Sequence, residues 1–192
     1  IFFFNQAILR FISEDALVSY TIISYVNTIV VMSMTGIAQG SQPLISYYFG
    51  KGEPKKYRKL LKYGILSAAV FSVVVTAGCY AGASGIVGIF LDGENPALSV
   101  YSIKVFRIFI LSFLLAGYNV VIGGYFASIE KAGFATFISL TRSLIALVGC
   151  MMLLIAVLGG EGIWWSPLMA EAVCLVFSLL MLKRSFAKQR KN

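Results

Sequence analysis

The sequence predicts an all-α membrane protein of six membrane-crossing helices. Three observations carry that prediction. Hydrophobic residues make up 59% of the chain and charged residues 12%, with a mean hydropathy of +0.86. A soluble domain carries about a quarter charged residues. The apolar residues gather into runs that mostly exceed the roughly 18 residues marking a membrane helix. Connectors between the runs alternate between acidic and basic, the pattern expected when every run crosses the bilayer.

The first run, 1–12, begins in mid-pattern at Ile1 and reads as a truncated helix. Its amides Asn5 and Gln6 are suited to bonds between helices. After the acidic Ser13-Glu14-Asp15, the second run covers 16–49. As a helix it would reach about 50 Å against a hydrocarbon core of about 30 Å. Gly36, Gly40 and Pro43 are its predicted hinge, because glycine loosens a helix and proline removes a backbone donor. A basic link, 51–59, leads to the third run, 60–91, where Gly78 and Gly82 form a small-xxx-small pattern that predicts close helix packing.

Asn95-Pro96 supplies an N-cap followed by proline at the first helical position, so the fourth helix, 97–129, should start there. Lys104 and Arg107 lie near its outer end and are long enough to snorkel. The mixed Glu130-Lys131 precedes the fifth helix, 132–158, and Gly159-Gly-Glu161 precedes the sixth, 162–186, whose end is basic. Tyr47, Tyr48, Trp164 and Trp165 fall where interfacial aromatic belts form.

Charge then orients the chain. Net charge is +8, and 13 of the 16 basic residues belong to one set of connectors and flanks, counting Arg142. Five of the eight acids, Glu14, Asp15, Asp92, Glu94 and Glu161, lie on the other side. The positive-inside rule makes the basic side and the C-terminus cytoplasmic, and it explains the charge without nucleic acid. Histidine is absent, and Cys79, Cys150 and Cys174 sit singly inside apolar runs. These counts disfavour a metal site, a disulfide frame and catalysis by clustered nucleophiles, so no enzyme, catalytic residue, metal or cofactor is expected.

Depth singles out a polar layer. Gln39, Asn119 and Glu171 each precede a basic residue (Lys51, Lys131 and Lys183) by 12 positions, and Arg142 follows Lys131 by 11. At the helical rise, all four lie about 16–18 Å from the basic side, near the bilayer midplane. A lone charge there costs at least about 2.5–3.5 kcal/mol, so Arg142 and Glu171, opposite in sign on consecutive helices, are predicted to pair or share a hydrated cavity. A purely structural ion pair is the competing explanation. Asn27 is weighed both as interhelical glue and as part of a substrate pathway.

Several of these stretches carry a family likeness. Gly36-Ile-Ala-Gln-Gly-Ser-Gln-Pro43 and Tyr47-Tyr-Phe-Gly50 resemble a signature of the multidrug and toxic-compound extrusion (MATE) family. Arg107-Ile108, Gly117-Tyr118-Asn119, Phe126-Ala-Ser-Ile-Glu-Lys131, Ser139-Leu-Thr-Arg142, Gly162-Ile-Trp-Trp and Pro167-Leu-Met-Ala-Glu171 continue it. The resemblance implies a twelve-helix transporter of two six-helix lobes, with this chain as the C-terminal lobe beginning partway through the seventh helix. It implies a multi-pass protein of the bacterial plasma membrane that exports cationic or amphipathic organic compounds by alternating access, in exchange for protons or sodium ions. The partners implied are the N-terminal lobe, the small organic substrate and membrane lipids. One branch of the family keeps its coupling acid in the first helix. Another keeps an acid in the tenth, where this chain has Asn119, so the coupling-ion site is expected in the N-terminal lobe. Gln39, Gln42, Asn27, Tyr118 and Asn119 are the substrate-pathway candidates. The alternative is a lipid-linked oligosaccharide or polysaccharide flippase of the same superfamily, whose anionic cargo would call for more deep Arg and Lys than Arg142. A structural subunit is a further class, separated from both by a flux assay.

Overall fold

A computed structural model describes residues 2–91 and 95–189, for residues 188 and 189 the backbone only. Asp92 and Glu94 of the acidic connector, and Ile1, Arg190 and Lys191, lie outside the described residues. Among the described residues four stretches are long and apolar enough to cross a membrane, and six helical segments follow one another. They are α1 (Phe2–Phe11), α2 (Asp15–Gly50), α3 (Pro54–Ala81) with α4 (Ala83–Phe90), α5 (Pro96–Phe109) with α6 (Phe113–Ser128), α7 (Ala132–Leu140) with α8 (Ala146–Leu158), and α9 (Gly162–Gln189). No strand occurs among the described residues.

Several boundaries have a local cause. Asn95 caps α5 by accepting the Leu98 amide at 3.1 Å, with Pro96 next. Helix α3 begins at Pro54, earlier than the predicted 60, so most of the basic link is itself helical. The predicted run 60–91 also divides at Gly82 into α3 and α4. Between α5 and α6 the chain tightens to a 3-10 turn, Ile110–Ser112, without leaving the helical path. Between α7 and α8 it loosens into a π-turn, Thr141–Ile145, closed by the Ala146 amide on the Thr141 carbonyl. Gly159, at φ 62° and ψ −146°, provides the backbone that L side chains avoid and turns α8 into α9. By contrast α2 runs unbroken through Gly36, Gly40 and Pro43 for 36 residues, about 54 Å at the helical rise.

Helix α6 is the hub. It packs against α2, α3, α7 and α9. Close approach to α3 depends on Gly117, where an added Cβ would lie 2.8 Å from Ser72 Oγ, and on Gly64 against Val121. Gly78 has nothing within 4 Å of that position, so the close packing predicted for 78–82 falls elsewhere on α3.

Two apolar clusters form along the lobe. One, toward the acidic connectors, holds Phe4, Tyr20, Phe106, Phe109, Phe113, Met151 and Trp164. The other, toward the basic connectors, holds Ile45, Tyr57, Tyr125, Phe126, Ile138 and Leu182. On α6 the first ends at Ala116 and the second starts at Val121; on α9 the divide falls between Trp164 and Cys174. Trp164, placed by the sequence at a lipid interface, is only 1% exposed. Its indole N–H donates to the Tyr101 hydroxyl at 3.0 Å inside the lobe.

Candidate functional site at the seam between the two cores

The divide between the clusters is where the polar residues collect. Asn119 lies in the gap on α6, Glu171 in the gap on α9, and Arg142 between Ile138 and Leu147 where α7 meets α8. Each comes from an otherwise apolar helix, so each has to find a partner there. Arg142 Nε donates to Glu171 Oε1 at 2.7 Å. Asn119 Nδ2 donates to Glu171 Oε2 at 2.7 Å and to the Glu171 carbonyl at 3.0 Å. The Ser178 hydroxyl donates to Asn119 Oδ1 at 3.0 Å. Both carboxylate oxygens are therefore satisfied, and the buried charge is balanced by an opposite one. That arrangement offsets most of the desolvation cost of Glu171.

The local backbone positions Arg142. It sits inside the π-turn, and such turns insert one residue into a helix and re-aim the side chains that follow. The redirected guanidinium meets α9 at the height of Asn119.

Arg142 and Glu171 also border a cavity of about 360 Å³. Its apolar wall includes Phe4, Phe109, Phe113 and Leu147, and its polar wall includes Ser24, Asn27 and Thr28 of α2. Tyr20, Ser24, Asn27, Thr28 and Val31 recur at helical spacing and present one face of α2 to it. Every lining residue belongs to the acidic-connector half or to the seam, so the polar pair forms the floor of a hollow.

Of the pathway candidates, Asn27 lines this cavity and Asn119 holds its floor. Tyr118 is half-buried on α6. Gln42 faces α6, its Nε2 lying 3.0 Å from the Cβ position of Gly124. Gln39 is exposed on α2, apart from the Asn119–Arg142–Glu171 group, and so are Gly36, Gly40 and Pro43. Ser178 was not anticipated, although it follows Glu171 by seven residues and so shares its face. Lys104 pairs with Glu161 at 2.5 Å between exposed side chains, and the Arg107 guanidinium lies 4.9 Å from the Tyr80 ring centroid. Among the described residues no group of His, Cys, Asp or Glu could hold a metal ion.

Among the described residues, four helical stretches are long and apolar enough to cross a membrane, and they hold a buried ion pair beside a hollow, which defines a multi-pass membrane lobe. The chain belongs to the MatE family, whose model matches residues 1–152. Among curated proteins it is similar to the multidrug export protein MepA of Staphylococcus haemolyticus (strain JCSC1435), 27% identical over 148 residues. A MepA of Staphylococcus aureus (strain MSSA476) is 27% identical over 150 residues. Each match takes in 77% of this chain and 32% of the relative, so the chain spans about a third of their length. Among solved structures, the fold matches an inward-facing multidrug resistance MATE family transporter of the MOP superfamily at a TM-score of 0.93 and 17% identity. It matches an outward-facing one at 0.91 and 17%, and a MOP superfamily transporter from Pyrococcus furiosus Vc1 at 0.90 and 16%. All of this chain is covered in each case, against 44%, 43% and 43% of the neighbours. The segment 162–171 lies beyond the family-model match and is covered by the likeness of fold.

Proposed function

We propose that the chain is the C-terminal lobe of a secondary active exporter of cationic or amphipathic organic compounds. It works by alternating access with a second six-helix lobe, in antiport with protons or sodium ions. The observation that carries this reading is the hollow over the seam: aromatic walls that suit a flat apolar body, and a floor with a single balanced ion pair. The family membership and the multidrug export for which the MepA relatives are named support an export role. Near-equal fold matches to an inward-facing and an outward-facing transporter support a lobe that moves as a unit, as rocking carriers do.

In this reading Glu171 is a fixed part of the lobe, not the coupling acid. Each of its oxygens already accepts a hydrogen bond, one from Arg142 and one from Asn119, and the guanidinium balances its charge, which suits a fixed structural anion. The coupling-ion site is placed in the other lobe. The membrane is the bacterial plasma membrane, with the basic connectors and the C-terminus in the cytoplasm.

The test is dye efflux from vesicles carrying the transporter with both lobes, with proton and sodium gradients imposed one at a time. Efflux driven by one gradient supports the reading, and efflux indifferent to both contradicts antiport.

A further inference from the structure

We propose that the ligand group contacting the cavity floor is a hydrogen-bond acceptor, a carboxylate or similar anionic oxygen, seated on the free edge of the Arg142 guanidinium. The inference rests on the exporter reading for the identity of the cavity as a ligand site. It adds which part of an amphipathic ligand faces this lobe.

A guanidinium has five N–H donors in a planar fork, and its geometry suits a two-oxygen acceptor. Glu171 takes only one of them, the Nε hydrogen. The two Nη atoms make no hydrogen bond to a described residue, and neither is among the buried side-chain atoms lacking a partner. They therefore keep accessible surface, in a side chain 23% exposed that borders the cavity. Asn27, on the facing wall, has no hydrogen bond from its amide to a described residue and adds two more donors.

The acceptors on the same floor each already take a hydrogen bond. Glu171 Oε1 and Oε2 are taken by Arg142 and Asn119, and Asn119 Oδ1 by Ser178. No other carboxylate lines the cavity. A ligand ammonium would find a carboxylate whose charge Arg142 already balances and would meet the positive edge of that guanidinium. A ligand carboxylate would find a charge-assisted fork of the kind that binds planar acceptors strongly. An amphipathic cation would thus turn its acceptor end to this lobe and its aromatic body to Phe4, Phe109 and Phe113.

The experiment is equilibrium binding, by fluorescence polarisation, of rhodamine B and its ethyl ester to the purified transporter with both lobes. The two dyes share one cationic ring system and differ in whether the carboxyl is free or capped. Arg142→Lys keeps a cation beside Glu171 but removes the fork, and the Arg142→Gln/Glu171→Gln pair removes both charges together. Both variants should weaken rhodamine B by about tenfold or more while the ester shifts by less than about twofold. Equal weakening of both dyes, no change in either, or no binding of rhodamine B by the unaltered protein would overturn the inference. The exporter reading fails separately, if selective binding is intact and no gradient drives efflux.

Discussion

Both halves of the lobe are lined with aromatic and aliphatic side chains, and the cavity beside the ion pair opens on the acidic-connector side. In the basic-connector half the rings close on one another. Tyr125 packs against Tyr57, Phe126 and Phe186, with centroids 5.6–6.3 Å apart. Gly124 lets α2 approach α6, and the Ser46 hydroxyl donates to the Ser128 carbonyl at 3.1 Å. Lys131 Nζ donates to Ser185 at 2.7 Å, tying the end of α9 to the start of α7. The acidic-connector half is fastened near its rim, by Ser19 to Ser102 at 2.8 Å and Lys104 to Glu161, and again at the seam. Between those fastenings the walls stand apart. The difference teaches that the way the rings close on one another, more than composition, separates a hollow from a closed base.

The largest effect should come from breaking the seam on one side. Glu171→Ala leaves Arg142 beside an apolar core without its partner and should cost about 3 kcal/mol, the low end for a buried pair because Arg142 keeps some solvent. Arg142→Gln/Glu171→Gln should cost clearly less, since nothing charged is left behind. Thermal unfolding in detergent reads both. A double variant as unstable as the single one would mean that the pair itself holds the halves together.

Next comes truncation of one ring in each half. Phe126→Ala opens a void in the closed half and should cost about 3 kcal/mol. Phe113→Ala borders a hollow that already exists and should cost about half as much, because less packing is lost there. Equal losses would erase the contrast between the halves. Of comparable size, Gly117→Val forces α3 away from α6 and should cost about 1–3 kcal/mol. Gly78→Val, with nothing within 4 Å of its Cβ position, should be close to neutral. At the bottom of the scale, Lys104→Ala removes a pair between side chains that are 56% and 63% exposed, and should change stability by less than about 1 kcal/mol.

Much of the fold was legible because lipid leaves few options. Long apolar runs and alternating connectors fix the crossings, and Asn95-Pro96 marks a helix start in plain chemistry. The same arithmetic that found Asn119, Arg142 and Glu171 also selected Gln39. Distance from a basic residue gives height, not direction, and Gln39 is exposed on α2 apart from the other three. The helical repeat carries the missing direction, since Tyr20, Ser24, Asn27 and Thr28 form a stripe and Ser178 follows Glu171 on one face. The π-turn at Arg142 left no trace, because Thr141–Ile145 contains neither glycine nor proline. Trp164 and Trp165 look alike in sequence, but only a partner such as Tyr101 shows that the first is buried. Gly78 and Gly82 have a packing spacing, yet α6 meets α3 elsewhere, with Val121 against Gly64 and its own Gly117 against Ala68 and Ser72.

The central claim is that ligand occupies the hollow half and stops at the seam. Its most direct test is photolabelling of the transporter by an azido-rhodamine, with competition by unmodified dye and mapping of the adducts by mass spectrometry. The account predicts competed adducts on the peptides that carry Phe4, Asn27, Phe109 and Leu147. Competed adducts confined to α3, or to the Tyr125–Phe126 region below the seam, would contradict it.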